Sequence, residues 1–215
     1  MTERKLSCSD CSTQNCSNRE SHYPKFCITP ELTESQIEEI KKFYTDDEQN
    51  HKLAVNSAEI EGDFYCKLTR VEETIEFIKR IGAKKVRIAT CIGLINEAKT
   101  FAKILQHNDI DYYTVACKVG SIKKEEIGIT KEHRVHPEAE HESICNPIMQ
   151  AKILNHEKTD LNVAIGLCVG HDSLFIKYSD APVTVLVAKD RVTCHNPAAP
   201  LYTSNSYYKK KLFGE

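Results

Sequence analysis

No apolar stretch of this 215-residue chain approaches the ~20 residues that a membrane span requires. Its first residues, Met1-Thr2-Glu3-Arg4-Lys5-Leu6-Ser7, hold no apolar run of the kind a secretion signal uses, so the expected location is the cytoplasm. A charge excess is missing too. The formal net charge of −2 argues against an electrostatic nucleic-acid binder, which carries a basic excess or stripe. The one basic cluster, Lys209-Lys210-Lys211 beside Tyr207 and Tyr208, reads as a solvated tail. No internal repeat is visible beyond an alternation of strands and helices.

Cysteine, by contrast, is abundant: the chain has ten. A reducing cytoplasm disfavours disulfides, so this surplus points to metal ligation or thiol chemistry. The balance of 40% apolar and 28% charged residues suits an ordinary globular core, with length enough for one domain and an appendage.

The organisation follows from the periodicities. Residues 1–30 are polar, carry four cysteines, and are read as a metal-binding segment unable to bury much by itself. Thr33 and Gln36 make a capping box ahead of a helix with Ile37, Ile40 and Tyr44 on one face, and 46–62 reads as a second helix ending near Gly62. A further capping box, Thr69 with Glu72, opens a helix that stops at Gly82. Four buried strands are predicted at Val86–Thr90, Tyr112–Ala116, Leu161–Leu167 and Val183–Ala188. Helices fall between them, around Ala98–Leu105, from Asn146-Pro147, and around Asp172–Tyr178. This alternation predicts an α/β domain over 31–215: an open, mainly parallel, Rossmann-like sheet of about four strands with helices on both faces. Right-handed crossovers favour the strand order 2-1-3-4, with a switch point between the first and third strands. A polar insert, 118–144, interrupts the rhythm.

Cys8-x2-Cys11-x4-Cys16-x10-Cys27 gathers four thiols within a short span, and His22 lies close enough to replace one. Such a set suits a tetrahedral zinc knuckle or an iron–sulfur cluster, and spacing does not separate the two. A second set is dispersed in sequence but not in topology. Cys91 and Cys117 end the first two strands, Cys168 follows the third, and Cys145 precedes a helix. In a parallel sheet these places share one edge, where ligands bind and helix N-termini favour thiolates. Cys91, Cys117, Cys145 and Cys168 are therefore expected to converge as cofactor ligands or reactive thiols. Cys66 fits neither set and reads as a core residue; Cys194 lies just past the fourth strand.

Polar residues at the same edge supply candidate chemistry. His171 and Asp172 open the helix after the Gly166-to-Gly170 turn, where Asp172 is either a helix cap or part of a site with His171. Lys118 is placed to hold a carboxylate or phosphate, His195 to bind or move a proton, and Asp190-Arg191 reads as a plain ion pair. In the insert, His133-x2-His136-x4-His141 stands among many acids, as a solvated lid over the strand ends or as a metal site.

These residues resemble a family of uncharacterised prokaryotic proteins described as predicted metal-binding proteins. The matching segments include the N-terminal cysteines, Thr69-Arg70-Val71-Glu72-Glu73, Cys91-Ile92-Gly93-Leu94, Ala116-Cys117-Lys118, Cys145-Asn146-Pro147, Gly166-Leu167-Cys168-Val169-Gly170-His171-Asp172 and Lys189-Asp190-Arg191-Val192. The resemblance implies metal binding and names no reaction.

The sequence thus predicts a cytoplasmic metal-binding protein, an iron–sulfur redox or lyase-type enzyme acting on a small molecule. Its 4Fe–4S cluster or zinc would sit on Cys91, Cys117, Cys145 and Cys168, with His171, Asp172 and Lys118 as catalytic groups. The alternative is a non-catalytic metal-handling or sensing protein with a zinc knuckle on Cys8, Cys11, Cys16 and Cys27. Partners are a small-molecule substrate or a metal ion, with no membrane or nucleic acid.

Overall fold

A computed structural model describes residues 4–18 and 22–214 of the chain. The chain divides into two compact units, 1–59 and 60–215, and the division falls inside a helix.

In the first unit, the described residues of the cysteine-bearing stretch form short 3-10 turns, Cys8–Asp10, Asn15–Ser17 and Thr29–Glu31, with no buried residue in any of them. Helix α1 (Glu34–Thr45) opens on the expected capping box, where Thr33 Oγ1 accepts from Gln36 N and Gln36 Oε1 accepts from Thr33 N. Helix α2 (Glu48–Phe64) leads out of this unit and does not stop at Gly62. A Cβ at Gly62 would meet nothing within 4 Å, so that glycine sits on an open helix surface and has no terminating role.

The second unit is a four-stranded, all-parallel sheet with helices around it. Helix α3 (Arg70–Arg80) starts on the Thr69–Glu72 capping box and buries Thr74, Ile75 and Ile78 at helical spacing. It ends as Gly82 takes a left-handed φ of 61°. Strand β1 (Lys85–Thr90), helix α4 (Ile95–His107), strand β2 (Asp111–Ala116), helix α5 (Pro147–His156), strand β3 (Leu161–Ile165), helix α6 (His171–Tyr178) and strand β4 (Val183–Val187) follow. The order across the sheet is β2-β1-β3-β4, and every neighbouring pair is parallel. Because the chain moves one way from β1 to β2 and back the other way to β3, right-handed crossovers put α4 on one face and α5 and α6 on the other. The α5–α6 side buries Ala89, Val115, Ala151, Leu154, Ala164, Leu167 and Phe175 as one cluster. Each large side chain of that group contributes roughly 1.5–3 kcal/mol through burial.

β3 ends two residues sooner than expected, because Gly166 leaves the strand at a φ of +64°. The turn is close-packed: a Cβ there would lie 2.6 Å from Leu94 Cδ2. One expectation fails outside the strands. Cys66 is exposed, with a left-handed φ of 57°, because it lies in the turn between α2 and α3 and not under either helix. The polar insert also has a structure of its own. An antiparallel bridge joins Lys123 to Ser143, and the buried Arg134 donates to Ala139 O at 2.7 Å and pairs with Glu125. Glu142 accepts from His136 N at 2.9 Å and pairs with Lys124, which with these bonds holds its carboxyl down at about 2. Past β4 the chain closes with two short helices, α7 (Ala199–Tyr202) and α8 (Lys209–Phe213). Among the described residues no helix is long and apolar enough to cross a membrane.

Candidate functional site

The strand register sets up the site. Thr90 lies level with Ala116 of β2 and Ile165 of β3, so the first residues past these strands emerge side by side. The ladder continues one step further: Cys91 N donates to Ile165 O at 3.1 Å, and Cys117 N donates to Thr90 O at 2.8 Å. Cys117 O then accepts from Asn146 N at 2.7 Å, which draws Cys145 and the start of α5 against the same edge. Asn146 caps α5 as expected, accepting from Met149 N at 3.1 Å, with Pro147 as the first helical residue. Cys168 arrives from the turn between Gly166 and α6.

Cys91, Cys117, Cys145 and Cys168 all line one narrow crevice, too tight for a water-sized sphere, together with Pro147, Gln150, Leu167 and His171. The four cysteines that topology sends to this edge thus border one crevice, at the switch point between β1 and β3. Cys91 and Cys117 are buried, and Cys145 and Cys168 half-buried. All ten cysteines are free thiols.

Each thiol has its own electrostatic surroundings. Cys117 lies between Cys91 and Cys145, within hydrogen-bonding reach of both, and its Sγ accepts from Ile92 N at 3.3 Å. That bond with Cys117, the Gly93 amide at 3.4 Å and the Lys189 ammonium at 3.5 Å lower the Cys91 thiol to about 5. Cys145 is lowered to about 5 by Cys117 first, then by the charges of Lys118 and His171. The hydrogen bonds to Cys145 and Cys91, with burial, push Cys117 far the other way. Hydrogen bonding within the trio thus disfavours ionisation of Cys117 and favours it at the two neighbours. Cys168 is met by a third cation, Arg191, whose Nη2 donates to its Sγ at 2.9 Å.

The other candidate residues separate. His171 lines the crevice, and its Nδ1 is buried with no hydrogen-bond partner. Lys118 stands beside Cys145 and donates to Ser143 O at 2.6 Å, which ties the insert to this edge. Asp172 does not line the crevice. Its Oδ1 accepts from Gly170 N at 2.9 Å and Ser173 N at 2.8 Å, the local bonding of a helix start. The Asp190–Arg191 ion pair is replaced by two separate jobs: Asp190 accepts from Val192 N and Thr193 N, while Arg191 reaches Cys168. His195 Nδ1 bonds Asp190 N at 3.1 Å, and Cys194 is exposed.

Two lining or facing residues escape a reading by residue type, Gln150 and Lys189. Each carries a positional signal. Gln150 is the polar member of the buried stripe Pro147, Gln150, Ala151, Leu154 on α5. Lys189 follows β4 at the same carboxyl edge as the cysteines.

The N-terminal set is arranged differently. Cys8 and Cys16 are exposed, and Cys11 and Cys27 half-buried. Cys11 Sγ accepts from Gln14 N at 3.4 Å and lies 3.6 Å from Thr13 Oγ1, and these bonds, Gln14 first, lower its thiol. In the insert, His141 Nε2 bonds Ser143 Oγ at 2.8 Å and His136 lies 3.7 Å from Glu138. Among the described residues no group of three or more His, Cys, Asp or Glu side chains forms an arrangement that could hold a metal ion. The thiols at the strand edge have the softness that zinc or an iron–sulfur cluster takes, but as they stand they do not close around one.

A second line of comparison comes from known proteins. The uncharacterized protein MJ0455 of Methanocaldococcus jannaschii is 47% identical over 207 residues, covering 96% of this chain and 98% of that one. A family model described as "Protein of unknown function (DUF1847)" matches residues 27–186, a span that holds both strand-edge partners of Cys117 and the whole sheet up to β4. On both grounds the chain belongs to the DUF1847 family.

Proposed function

We propose that the chain is an enzyme acting on a small molecule through cysteine thiolates at the carboxyl edge of its sheet, with Cys91 and Cys145 as the reactive pair. One observation carries this reading: each outer thiol of the crevice faces its own cation, Lys189 on Cys91, Lys118 on Cys145 and Arg191 on Cys168. A cysteine that only fills space gains nothing from such cations, whereas a nucleophile or soft ligand works as the thiolate and needs it stabilised. His171 faces the crevice as a proton carrier, and Asp172 supports it by fixing the start of α6. A reducing, cytoplasmic setting keeps such thiols available.

The test is site-resolved alkylation of the reduced full chain by iodoacetamide between pH 4 and 9, read by mass spectrometry. Cys91 and Cys145 are expected to react at pH 6 about tenfold faster than glutathione, whose thiol ionises near ~8.5. If both follow the glutathione profile, the reading falls.

A second reading rests on the donor set itself: four thiols on separate elements line one crevice. Thiolate donors suit an iron–sulfur cluster or zinc, and binding would require the side chains to draw together from their present places. In the same way, the amide-supported Cys11 favours a zinc knuckle with Cys8, Cys16 and Cys27. Purification without oxygen, followed by an absorption spectrum and metal analysis, separates the two. Brown protein with iron and sulfide supports the cluster, and colourless metal-free protein with fast-reacting Cys91 and Cys145 supports the thiolate enzyme.

A further inference from the structure

Two main-chain hydrogen bonds of Cys117 decide which sulfurs it faces. Its N donates to Thr90 O at 2.8 Å, and its O accepts from Asn146 N at 2.7 Å. In a parallel ladder, the residue after the carbonyl that an N–H reaches lies opposite the residue carrying that N–H. So does the residue before the N–H that the same residue's carbonyl accepts. The first bond therefore sets Cys91 opposite Cys117, one step past the Thr90–Ala116 pair, and the second sets Cys145 opposite it. Residues paired this way have Cα atoms about one strand spacing apart, roughly 4.8 Å. A disulfide spans Cα separations of about 4.4–6.8 Å. The side chains agree with the backbone, since the Cys117 thiol is within hydrogen-bonding reach of both Cys145 and Cys91. The crevice all three line is too tight for a water-sized sphere, so two sulfurs can join across it without displacing anything. Cys168, the fourth lining thiol, meets Arg191 Nη2 instead, at 2.9 Å. Of the two neighbours of Cys117, Cys91 is buried and Cys145 only half-buried, so an oxidant from solvent meets Cys145 first.

We propose that Cys117 and Cys145 form a reversible dithiol–disulfide pair, an oxidative modification site whose co-reactant is a hydroperoxide. The Cys145 thiolate sulfur attacks one peroxide oxygen: an S–O bond forms, the O–O bond breaks, and the leaving oxygen takes a proton from solvent. Cys145 is then a sulfenic acid. The Cys117 sulfur attacks that sulfur in turn. An S–S bond forms, the S–O bond breaks, and the hydroxyl leaves as water with the Cys117 proton. In sum the two thiols lose two electrons and two protons, and hydrogen peroxide is reduced to two waters. The inference goes beyond the thiolate reading, because it needs only two sulfurs set opposite each other. It gives the crevice an oxidised state in which Cys145 is capped and cannot attack anything else. In a reducing compartment such a bond lasts only while oxidant is present, which is the behaviour of a redox sensor.

The test treats reduced, metal-free, full-length protein with a small excess of hydrogen peroxide under native conditions. Remaining thiols are blocked with N-ethylmaleimide in denaturant, and peptides are mapped by mass spectrometry without reduction. The expected product is a Cys117–Cys145 cross-link, with two thiols lost per chain and both restored by dithiothreitol. Cys117→Ser should lose the cross-link and leave Cys145 as a sulfenic acid that dimedone traps. A wild-type map in which Cys145 becomes sulfinic acid while Cys117 stays free overturns the inference. So does a map in which Cys117 joins Cys91, or in which Cys117 and Cys145 both stay reduced; these outcomes decide even if Cys117→Ser does not fold. Iodoacetamide reactivity at pH 6 is measured on the same reduced protein. A fast-reacting Cys145 that never cross-links overturns this inference alone, whereas a slow Cys145 that does cross-link overturns only the thiolate reading.

Discussion

The thiols at the strand edge sit in the turns that join regular elements, and main-chain hydrogen bonds that extend the sheet hold the backbones of Cys91 and Cys117 in place. Cys8, Cys11, Cys16 and Cys27 sit in a stretch whose described residues form three-residue 3-10 turns and irregular chain. The first set is far apart in sequence, from Cys91 to Cys168, and is brought together by topology. The second is close in sequence and is kept near by chain length alone. The electrostatics differ accordingly. At the edge, Lys189, Lys118 and Arg191 each face a different thiol, whereas in the N-terminal set Cys11 is supported locally, by Gln14 and Thr13. Cysteines that neighbour each other in sequence are easy to notice. Those that neighbour each other across a sheet acquire partners, burial and cations that a short segment cannot supply.

The contrast can be broken hardest at the turn that carries Cys168. Gly166→Val adds a side chain at a φ of +64° with its Cβ 2.6 Å from Leu94, so it should destabilise the protein by about 3 kcal/mol or more, read from urea midpoints. A loss below ~1 kcal/mol would mean that the edge is softer than its packing indicates.

Removing the central thiol comes next. Cys117→Ala deletes the largest contribution lowering both Cys91 and Cys145. Their alkylation at pH 6 should fall about tenfold, while Cys117→Ser, which keeps a hydroxyl donor, should retain part of the reactivity. Alkylation of Cys8 and Cys16 is the internal control. If Cys91 and Cys145 are unmoved by Cys117→Ala, the trio does not act as a unit.

The same charges make stability depend on pH. Cys91 and Cys145 fall from an ordinary value near 9 to about 5 in the folded protein, so folding favours their ionised forms. That contribution is fully present above pH 9 and is lost as pH falls through 5. Cys117 is raised, so its contribution is present below pH 9 and is lost at higher pH. The urea midpoint of the metal-free protein should therefore rise from pH 5 towards 9 and turn over above it. A Cys91→Ser, Cys145→Ser double variant should flatten the rise, and a slope that survives the double variant would assign it to other groups.

The smallest effect is expected in the N-terminal set. In metal-free protein, Cys8→Ser with Cys16→Ser should change the unfolding free energy of the α/β unit by less than ~0.5 kcal/mol, because both residues are exposed. A larger loss would show that these thiols hold structure without any metal.

How much of this was legible varies from residue to residue. The capping boxes at Thr33 and Thr69 and the Asn146-Pro147 helix start were readable because each is a contact among residues no more than three apart. The strand order also followed from local patterns, since right-handed crossovers leave few ways to arrange four alternating strands. Cys66 was misplaced, because burial depends on what packs over a turn and no periodicity reports that. Asp190-Arg191 looked like an ion pair because its charges are adjacent in sequence. Its actual partners are the Val192 and Thr193 amides for Asp190 and Cys168, 23 residues upstream, for Arg191.

By itself the sequence determined which thiols reach the carboxyl edge of the sheet, because strand ends and helix starts in a parallel α/β fold are forced to that side. Tertiary structure alone decided what surrounds them. The setting of Cys117 beside Cys91 and Cys145, the pairing of each outer thiol with its own cation, and the two carbonyl bonds of the buried Gln150 amide all depend on distances of a few ångströms between distant segments. Side-chain charge and hydrogen bonding act only at such range, and topology brings residues to an edge without setting those distances.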